Sequence, residues 1–279
     1  MAPTNWSIQP CALADVPALA HNNLSAFWTD PTWRQMWPMC TLPPFVIEQA
    51  TLRMPRNLLN DRATLRHQKA VDPGTGKIMG YARWILPPSH AGDESWSEAQ
   101  FPDASEEEKA AAAEAAESAW WHFNDEEVPL EVAMSKTKER LLAEREYMGR
   151  LKFTLLCWAR RIELTRNTVL DYLAVHPDNW RKGIASALVA SGLAKAKELN
   201  VDVFVLAFKA GYGVYKRMGL IEIDRVVDYD QVLFPGGDGE YGAYFFVSKV
   251  YGAEGAGGET PMLVEAEVTP VNSEKEAVA

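Results

Sequence analysis

The sequence predicts an α/β (α+β) protein, in which helices pack on a mixed β-sheet. Three observations support this class. The chain opens with a short strand pattern at 6–9, followed by a helical pattern at 13–27. A hairpin is then predicted at 64–86, because two strand-like runs flank the turn-forming residues 72–76. From 169 to 247 the pattern alternates in the order β-α-β-α-β-β.

The individual elements follow from the periodicity of apolar residues. Over 44–59 they recur at helical spacing, which predicts a helix before the hairpin. In the C-terminal block the pattern predicts four strands and two helices. The strands are expected at 169–175, 203–208, 221–227 and 241–247, and the helices at 183–199 and 211–218.

A charged, helical insertion is predicted at about 88–165. Its first part is rich in Pro, Ser, Gly and acidic residues, after which Ser105 and Glu108 form a capping box that predicts a solvent-exposed helix. A second helix is predicted at 132–147. The apolar stretch 151–159 is compatible with a continued helix and with a strand.

Composition and patterning predict one globular domain over 1–251. The hydrophobic content of 47% and the charged content of 24% are ordinary for a globular protein. Residues 252–279 are instead rich in Gly, Ala, Glu and Ser. Such a segment cannot bury enough apolar surface to offset the entropy of ordering, so we expect a disordered tail.

Charge and cysteine content exclude several functions. A net charge of -10 without a basic stripe argues against direct binding of nucleic acid. Cys11, Cys40 and Cys157 are odd in number and lack metal-binding spacing, so we expect a reducing compartment and no metal. We find no signal-peptide pattern and no run of 18 apolar residues, and we expect a cytoplasmic or nuclear protein without a membrane partner.

The segment 170–186 is the most informative part of the sequence. A strand ends before Pro177, a polar loop follows, and a helix begins near Gly183. The first turn of such a helix presents unpaired N–H groups at the positive end of the helix dipole, where phosphate groups bind. Small residues let an anion approach the backbone, and two cations add charge. These residues are Gly183, Ala185, Ser186, Arg181 and Lys182.

This segment resembles motif A of the GNAT superfamily, whose pattern is Gln/Arg-x-x-Gly-x-Gly/Ala. Gly183 and Ala185 occupy the small positions, whereas Trp180 stands where the family usually has Gln or Arg. The segment 210–220 resembles motif B of the same family, and its Tyr215 falls at the position of the family's general acid. One helix and one strand separate the two motifs, as in the family, and the layout is similar to that of fungal members.

The resemblance implies an acyl-CoA N-acyltransferase fold, with a mixed, mostly antiparallel and twisted sheet flanked by helices. It also implies acetyl-CoA as acyl donor and an acceptor with a primary amine, either a small molecule or a protein, in a ternary complex. Backbone groups of Leu173 and Val175 are expected to meet the pantetheine amides. The residues implied to bind the cofactor are Leu173, Ala174, Val175, Arg181, Lys182, Gly183, Ile184, Ala185 and Ser186.

Two side chains are predicted to handle protons. Tyr215 is predicted to protonate the departing thiolate, and the alternative is that it only packs. Asp171 is predicted to be the base. The resemblance places it where some family members carry a His or Glu that reaches toward the cleft, and alternation along the strand places it on the same face as Leu173 and Val175. The alternative is a hydrogen-bonded or solvated acid at the end of the strand.

A second function is compatible with the same fold. A non-catalytic acyl-CoA-binding sensor or interaction protein would keep the cofactor cradle without the chemistry. The presence of Tyr215 and Asp171 favours catalysis. Transfer of an acetyl group to an amine is the observation that separates the two functions.

Overall fold

The computed structural model describes residues 6–38, 41–123, 129–144, 168–232 and 239–248. Its strands are β1 (Ser7–Pro10), β2 (Leu65–Val71), β3 (Ile78–Ile85), β4 (Thr168–Ala174), β5 (Val203–Phe208), β6 (Ile221–Tyr229) and β7 (Glu240–Val247). Its α-helices are α1 (Val16–Trp28), α2 (Pro31–Arg34), α3 (Pro43–Leu59), α4 (Glu106–Ser118), α5 (Pro129–Glu144), α6 (Ile184–Leu199) and α7 (Lys209–Arg217).

The seven strands form one mixed sheet in the order β1-β2-β3-β4-β5-β7-β6. Every neighbouring pair is antiparallel except β4 and β5, which run parallel. A parallel pair needs a crossover connection, and α6 provides it. The prediction of a mixed, mostly antiparallel sheet flanked by helices is therefore confirmed.

Local sequence explains where two of the helices begin. The carboxylate of Asp30 accepts hydrogen bonds from the backbone N–H groups of Thr32 and Trp33, which caps the short helix α2. Ser105 and Glu108 form the predicted capping box at the start of α4. The sequence pattern did not predict α2, because four residues are too few to show helical periodicity.

One face of the sheet is covered by α6 and α7. The fully buried Trp84 of β3 belongs to the core cluster on this face. Its indole lies so close to α6 that a Cβ atom on Gly192 would come within 2.0 Å of the ring. Only glycine fits at this contact, so the pair fixes the distance between α6 and the sheet.

The opposite face is covered by α1, α3 and α5. Helices α1 and α3 pack around Tyr81 of β3. Helix α5 contributes Met134 and Leu141 to a cluster that contains Ile85 of β3 and Val169 of β4. Part of the insertion therefore lies on the sheet itself and is integrated into the fold.

A β-bulge interrupts the pairing of β3 with β4. Trp84 pairs with Leu170 and Arg83 pairs with Tyr172, so Asp171 is the extra residue between them. A bulge of this kind changes which face the following side chains occupy. Asp171 and Tyr172 both turn toward the face of α1 and α5, since both contact Arg83 there.

The bulge corrects one prediction about Asp171. Simple alternation predicts that this side chain shares a face with Leu173 and Val175. In the structure Leu173 and Val175 pack in the cluster beneath α6, whereas Asp171 lies on the opposite face. The extra residue shifts the alternation by one position, and no feature of the sequence marks the bulge.

The first helix of the insertion is attached to α3. The backbone N–H of Trp120 donates a hydrogen bond of 2.7 Å to the side-chain oxygen of Gln49. The guanidinium of Arg53 lies 4.8 Å from the ring centre of Trp121. Most side chains of α4 are exposed, as predicted.

Other parts of the insertion are described only in part. Helix α5 begins at Pro129, three residues before the predicted start at 132. The apolar stretch 151–159 and the predicted tail 252–279 lie outside the described residues. None of the helices in the described ranges is both long and apolar enough to cross a membrane.

Candidate active site

A gap opens between the parallel strands β4 and β5. The two strands pair only from Thr168 to Leu170, opposite Val203 to Val205. Beyond these residues β4 continues along β3 and β5 continues along β7. Among the described residues, the facing edges of the two strands therefore have no partner strand beyond this point, which leaves room for an extended ligand.

The loop after β4 leads into an open helix N-terminus. Arg181 and Gly183 both adopt left-handed backbone conformations, with φ of 62° and 80°. Helix α6 then begins at Ile184, and no side chain of the described residues caps it. A Cβ atom at Gly183 would have no neighbour within 4 Å, so the helix entrance is open. These features fit a phosphate-binding turn.

Two indole N–H groups hold the ends of this loop. Nε1 of Trp180 donates to the carbonyl oxygen of Val175 at 2.7 Å. Nε1 of Trp6 donates to the carbonyl oxygen of Lys182 at 2.9 Å. The loop is thus attached to its own strand and to the start of the chain before any ligand binds, which lowers the entropy cost of binding.

The end of β4 is also held by α1. The amide of Asn22 donates to the carbonyl oxygen of Ala174 at 3.2 Å and accepts from the backbone N–H of His176 at 3.0 Å. The ring of His176 stacks on His21, with ring centres 5.1 Å apart. Asn22 is buried, so these bonds form in a low-dielectric environment and fix the direction of the strand end.

The predicted cofactor residues differ in what they can offer. Ile184 as a whole residue is only 1% exposed and its side chain packs in the core, so the side chain does not contact a ligand. Ala174 is buried as well. Arg181 and Lys182 are exposed beside the helix entrance, and the ammonium of Lys182 contacts Asn179 at 2.9 Å.

Tyr215 is a residue of α7, and its side chain is buried in the core between this helix and the sheet. Its ring contacts Phe246, with the ring centres 5.6 Å apart, and only 4% of the residue is exposed. Burial raises the pKa of the phenol, so the hydroxyl stays protonated at neutral pH. Among the described residues the hydroxyl has no hydrogen-bond partner, so it is free to bond a ligand.

Asp171 forms an ion pair with Arg83. Nε of Arg83 donates to Oδ2 of Asp171 at 2.8 Å, and a second guanidinium nitrogen donates to the same oxygen. Burial raises the pKa of the carboxyl, but the charge of Arg83 outweighs it, and the pKa lies below its ordinary value. Asp171 is therefore ionised and is a weak proton acceptor.

Two buried residues next to this pair, His67 and Tyr81, were not predicted from the sequence to belong to the site. Nδ1 of His67 lies 2.8 Å from the hydroxyl of Tyr81. Burial, followed by the charges of Arg83 and Arg66, lowers the pKa of His67 to about 3, so its imidazole is neutral. The only available signal was a histidine within an otherwise strand-like run, which does not reveal its partner.

Aromatic side chains border the gap on the same face. Phe27 of α1 lies between Tyr172 of β4 and Phe208 of β5, with ring centres 4.6 and 6.3 Å away. All three side chains are half-buried. Apolar walls around a few polar groups are typical of small-molecule sites.

Comparison with known families agrees with this geometry. The sequence model described as "Acetyltransferase (GNAT) family" matches residues 32–220, which is more than half of the chain. The chain therefore belongs to the GNAT family of acetyltransferases. No curated protein sequence gives a significant match.

Solved structures that resemble this chain do so at low sequence identity. The C-terminal condensation domain of Ebony, in complex with β-alanyl-dopamine, is 12% identical and has a TM-score of 0.50, covering 88% of this chain and 99% of that one. A structure described as "histone acetyltransferase HPA2 and related acetyltransferase" from Corynebacterium glutamicum is 16% identical, with a TM-score of 0.46, and the match covers 86% of this chain and 95% of that one. PaiA N-acetyltransferase from Thermoplasma acidophilum, in complex with coenzyme A, is 8% identical, with a TM-score of 0.45 and coverage of 88% and 98%.

Proposed function

We propose that this chain is an N-acetyltransferase that transfers the acetyl group of acetyl-CoA to a primary amine. One observation carries the proposal: the gap between β4 and β5 ends beside the uncapped N-terminus of α6. Unpaired strand edges suit an extended arm that contains amides, and the helix N-terminus suits a diphosphate. Coenzyme A joins these two groups in one molecule.

The cofactor residues have distinct tasks in this proposal. Gly183, Ile184, Ala185 and Ser186 present backbone N–H groups to the diphosphate. Arg181 and Lys182 add positive charge beside it. The strand end lines the gap along the pantetheine arm with the backbone of Leu173, Ala174 and Val175.

Direct attack by the amine requires two proton movements. As the C–N bond forms and the C–S bond breaks, the amine loses a proton and the departing sulfur gains one. We assign protonation of the departing sulfur to Tyr215, because its buried phenol is protonated and has no competing hydrogen-bond partner among the described residues. In this role its hydroxyl lies within hydrogen-bond distance of the sulfur.

Asp171 is not suited to accept the proton that the amine loses. An alkylammonium has a pKa of about 10, whereas the pKa of Asp171 lies below its ordinary value. Direct transfer to this carboxylate is strongly uphill. We therefore propose that the acceptor enters the gap as the neutral amine, after its ammonium proton has been lost to the solvent. The nitrogen becomes acidic as the C–N bond forms, and water then accepts its remaining proton. Asp171 holds Arg83 in place.

A transfer assay tests the proposed function. Purified protein is incubated with acetyl-CoA and a panel of primary amines, and free thiol and acetylated product are both measured. We expect thiol release that depends on the amine and yields an N-acetyl product. Binding of acetyl-CoA without transfer to any amine would instead support the acyl-CoA sensor.

A further inference from the structure

A lysine of the insertion faces the ion pair at the gap. Met134, Lys138 and Leu141 recur at helical spacing, and therefore lie on one face of α5. Met134 and Leu141 are buried against the cluster that contains Val169 of β4. Asp171 lies two residues further along β4, on the same side as Val169. This packing directs Lys138 toward Asp171.

The charge of Lys138 acts on the buried carboxylate. It is one of the positive charges that favour the ionised form of Asp171, after Arg83. The side chain of Lys138 is half-buried, and it makes no ion pair with the residues described in the structure. The ammonium of Lys138 is therefore available to a ligand of opposite charge.

The groups around the gap leave an excess of one positive charge on this face. Arg83 and Lys138 are positive, Asp171 is negative, and His67 is neutral. Glu131 is on the same helix but lies two turns earlier, about 10 Å along the axis. This local excess contrasts with the net charge of -10 of the whole chain.

A local positive charge has consequences for the acceptor. It repels an ammonium group from the Arg83–Asp171 pair and attracts an anion to Lys138. The amine must still reach the gap, which opens next to Asp171. An acceptor that carries both an amine and an anionic group nearby satisfies both conditions.

We propose that Lys138 binds the carboxylate of the acceptor, so that this enzyme acetylates amino acids or related amines that carry a carboxylate. The inference rests on the proposed acetyltransferase function and adds the class of acceptor to it. Arg83 faces the same site, but its guanidinium is held by Asp171. Lys138 is thus the specificity-determining residue.

Paired ligands test this subsite by equilibrium binding. Phenylalanine is compared with 2-phenylethylamine, and β-alanine with ethylamine, because the members of each pair differ by a carboxylate. Calorimetric titrations are made with and without saturating coenzyme A. We expect the ligand with the carboxylate to bind about tenfold more tightly, as one charge-assisted hydrogen bond would give.

Variants of Lys138 identify the group responsible. Lys138→Met should abolish the preference for the carboxylate, and Lys138→Arg should retain most of it. Lys136→Met, on an exposed position of the same helix, is the matched control and should behave as the parent protein. Thermal unfolding of each variant shows whether α5 remains folded.

The outcomes separate this inference from the function on which it rests. An equal affinity within each pair, binding of neither member, or a preference that survives Lys138→Met overturns the carboxylate subsite. Affinity for coenzyme A is measured in the same samples. Its loss in the parent protein would contradict the acetyltransferase, whatever the paired ligands show.

Discussion

The indole Nε1 of Trp180 donates a 2.7 Å hydrogen bond to the carbonyl oxygen of Val175. This bond closes the loop between the end of β4 and the start of α6. Trp180 occupies the position at which the family usually has Gln or Arg, so a contact within the loop replaces a side chain of that kind. We interpret Trp180 as a positioning residue for the backbone that receives the diphosphate.

Replacing Trp180 tests this interpretation. Trp180→Phe keeps an aromatic ring but removes the donor, and one lost hydrogen bond corresponds to about 0.5–1.5 kcal/mol. We expect coenzyme A to bind about threefold to tenfold more weakly, as measured by calorimetry. Pantetheine, which lacks the diphosphate, should bind the variant and the parent protein equally. Unchanged affinity for coenzyme A would contradict a positioning role.

The role of Tyr215 predicts a specific kinetic defect. Tyr215→Phe removes the proposed proton donor and retains the ring in the core, so kcat should fall by about a hundredfold or more. The Kd of coenzyme A should stay within about twofold. Tyr212→Phe is the control on the same helix, since its hydroxyl bonds Glu222 at 2.8 Å. Equal loss of activity in both variants would argue for packing alone.

The contact between Gly192 and Trp84 predicts an overpacked variant. In an ordinary helix a change from Gly to Ala is stabilising, but here the new Cβ would lie within 2.0 Å of the indole. Gly192→Ala should lower the free energy of unfolding by about 1–3 kcal/mol, as measured with denaturant. In the background Trp84→Phe the same change should be less harmful, because the smaller ring leaves room. Additive effects would refute this contact.

Burial of neutral His67 predicts how stability changes with pH. Its pKa is about 3 in the folded protein and near the ordinary value of 6.5 when unfolded. The unfolded chain therefore binds a proton first as the pH falls below 6.5, and stability is lost down to about pH 3. The slope from this group is about 1.4 kcal/mol per pH unit.

A variant isolates this contribution. In His67→Asn the free energy of unfolding should fall less steeply between pH 6 and 4.5 than in the parent protein. His122→Asn removes an exposed histidine and should leave the slope unchanged. Parallel curves for all three proteins would show that His67 is not held neutral.

Most of the fold could be predicted from the sequence. The strand at 203–208 has the predicted bounds, and α6 begins one residue after the predicted start. Both elements have regular apolar periodicity and clear end signals, such as the glycine before α6. The open turn before α6, to which we assign the diphosphate, was predictable for the same reason, because it depends on a local sequence.

The arrangement of the groups to which we assign the acceptor could not be predicted. The bulge at Asp171 changes the alternation of β4, and it depends on pairing with β3, which lies far away in sequence. The approach of α5 to the face that carries Asp171 depends on how the helix docks on the sheet. Such contacts are set by tertiary packing, and a single sequence contains no local signal for them.

The central claim is that the N-terminus of α6 binds a diphosphate while the gap between β4 and β5 binds the pantetheine arm. Calorimetric titration with coenzyme A, and in parallel with pantetheine, measures both parts of this claim. We predict that one molecule of coenzyme A binds per chain, at least about tenfold more tightly than pantetheine. Absence of binding by coenzyme A, or equal affinity for the two ligands, would contradict the account.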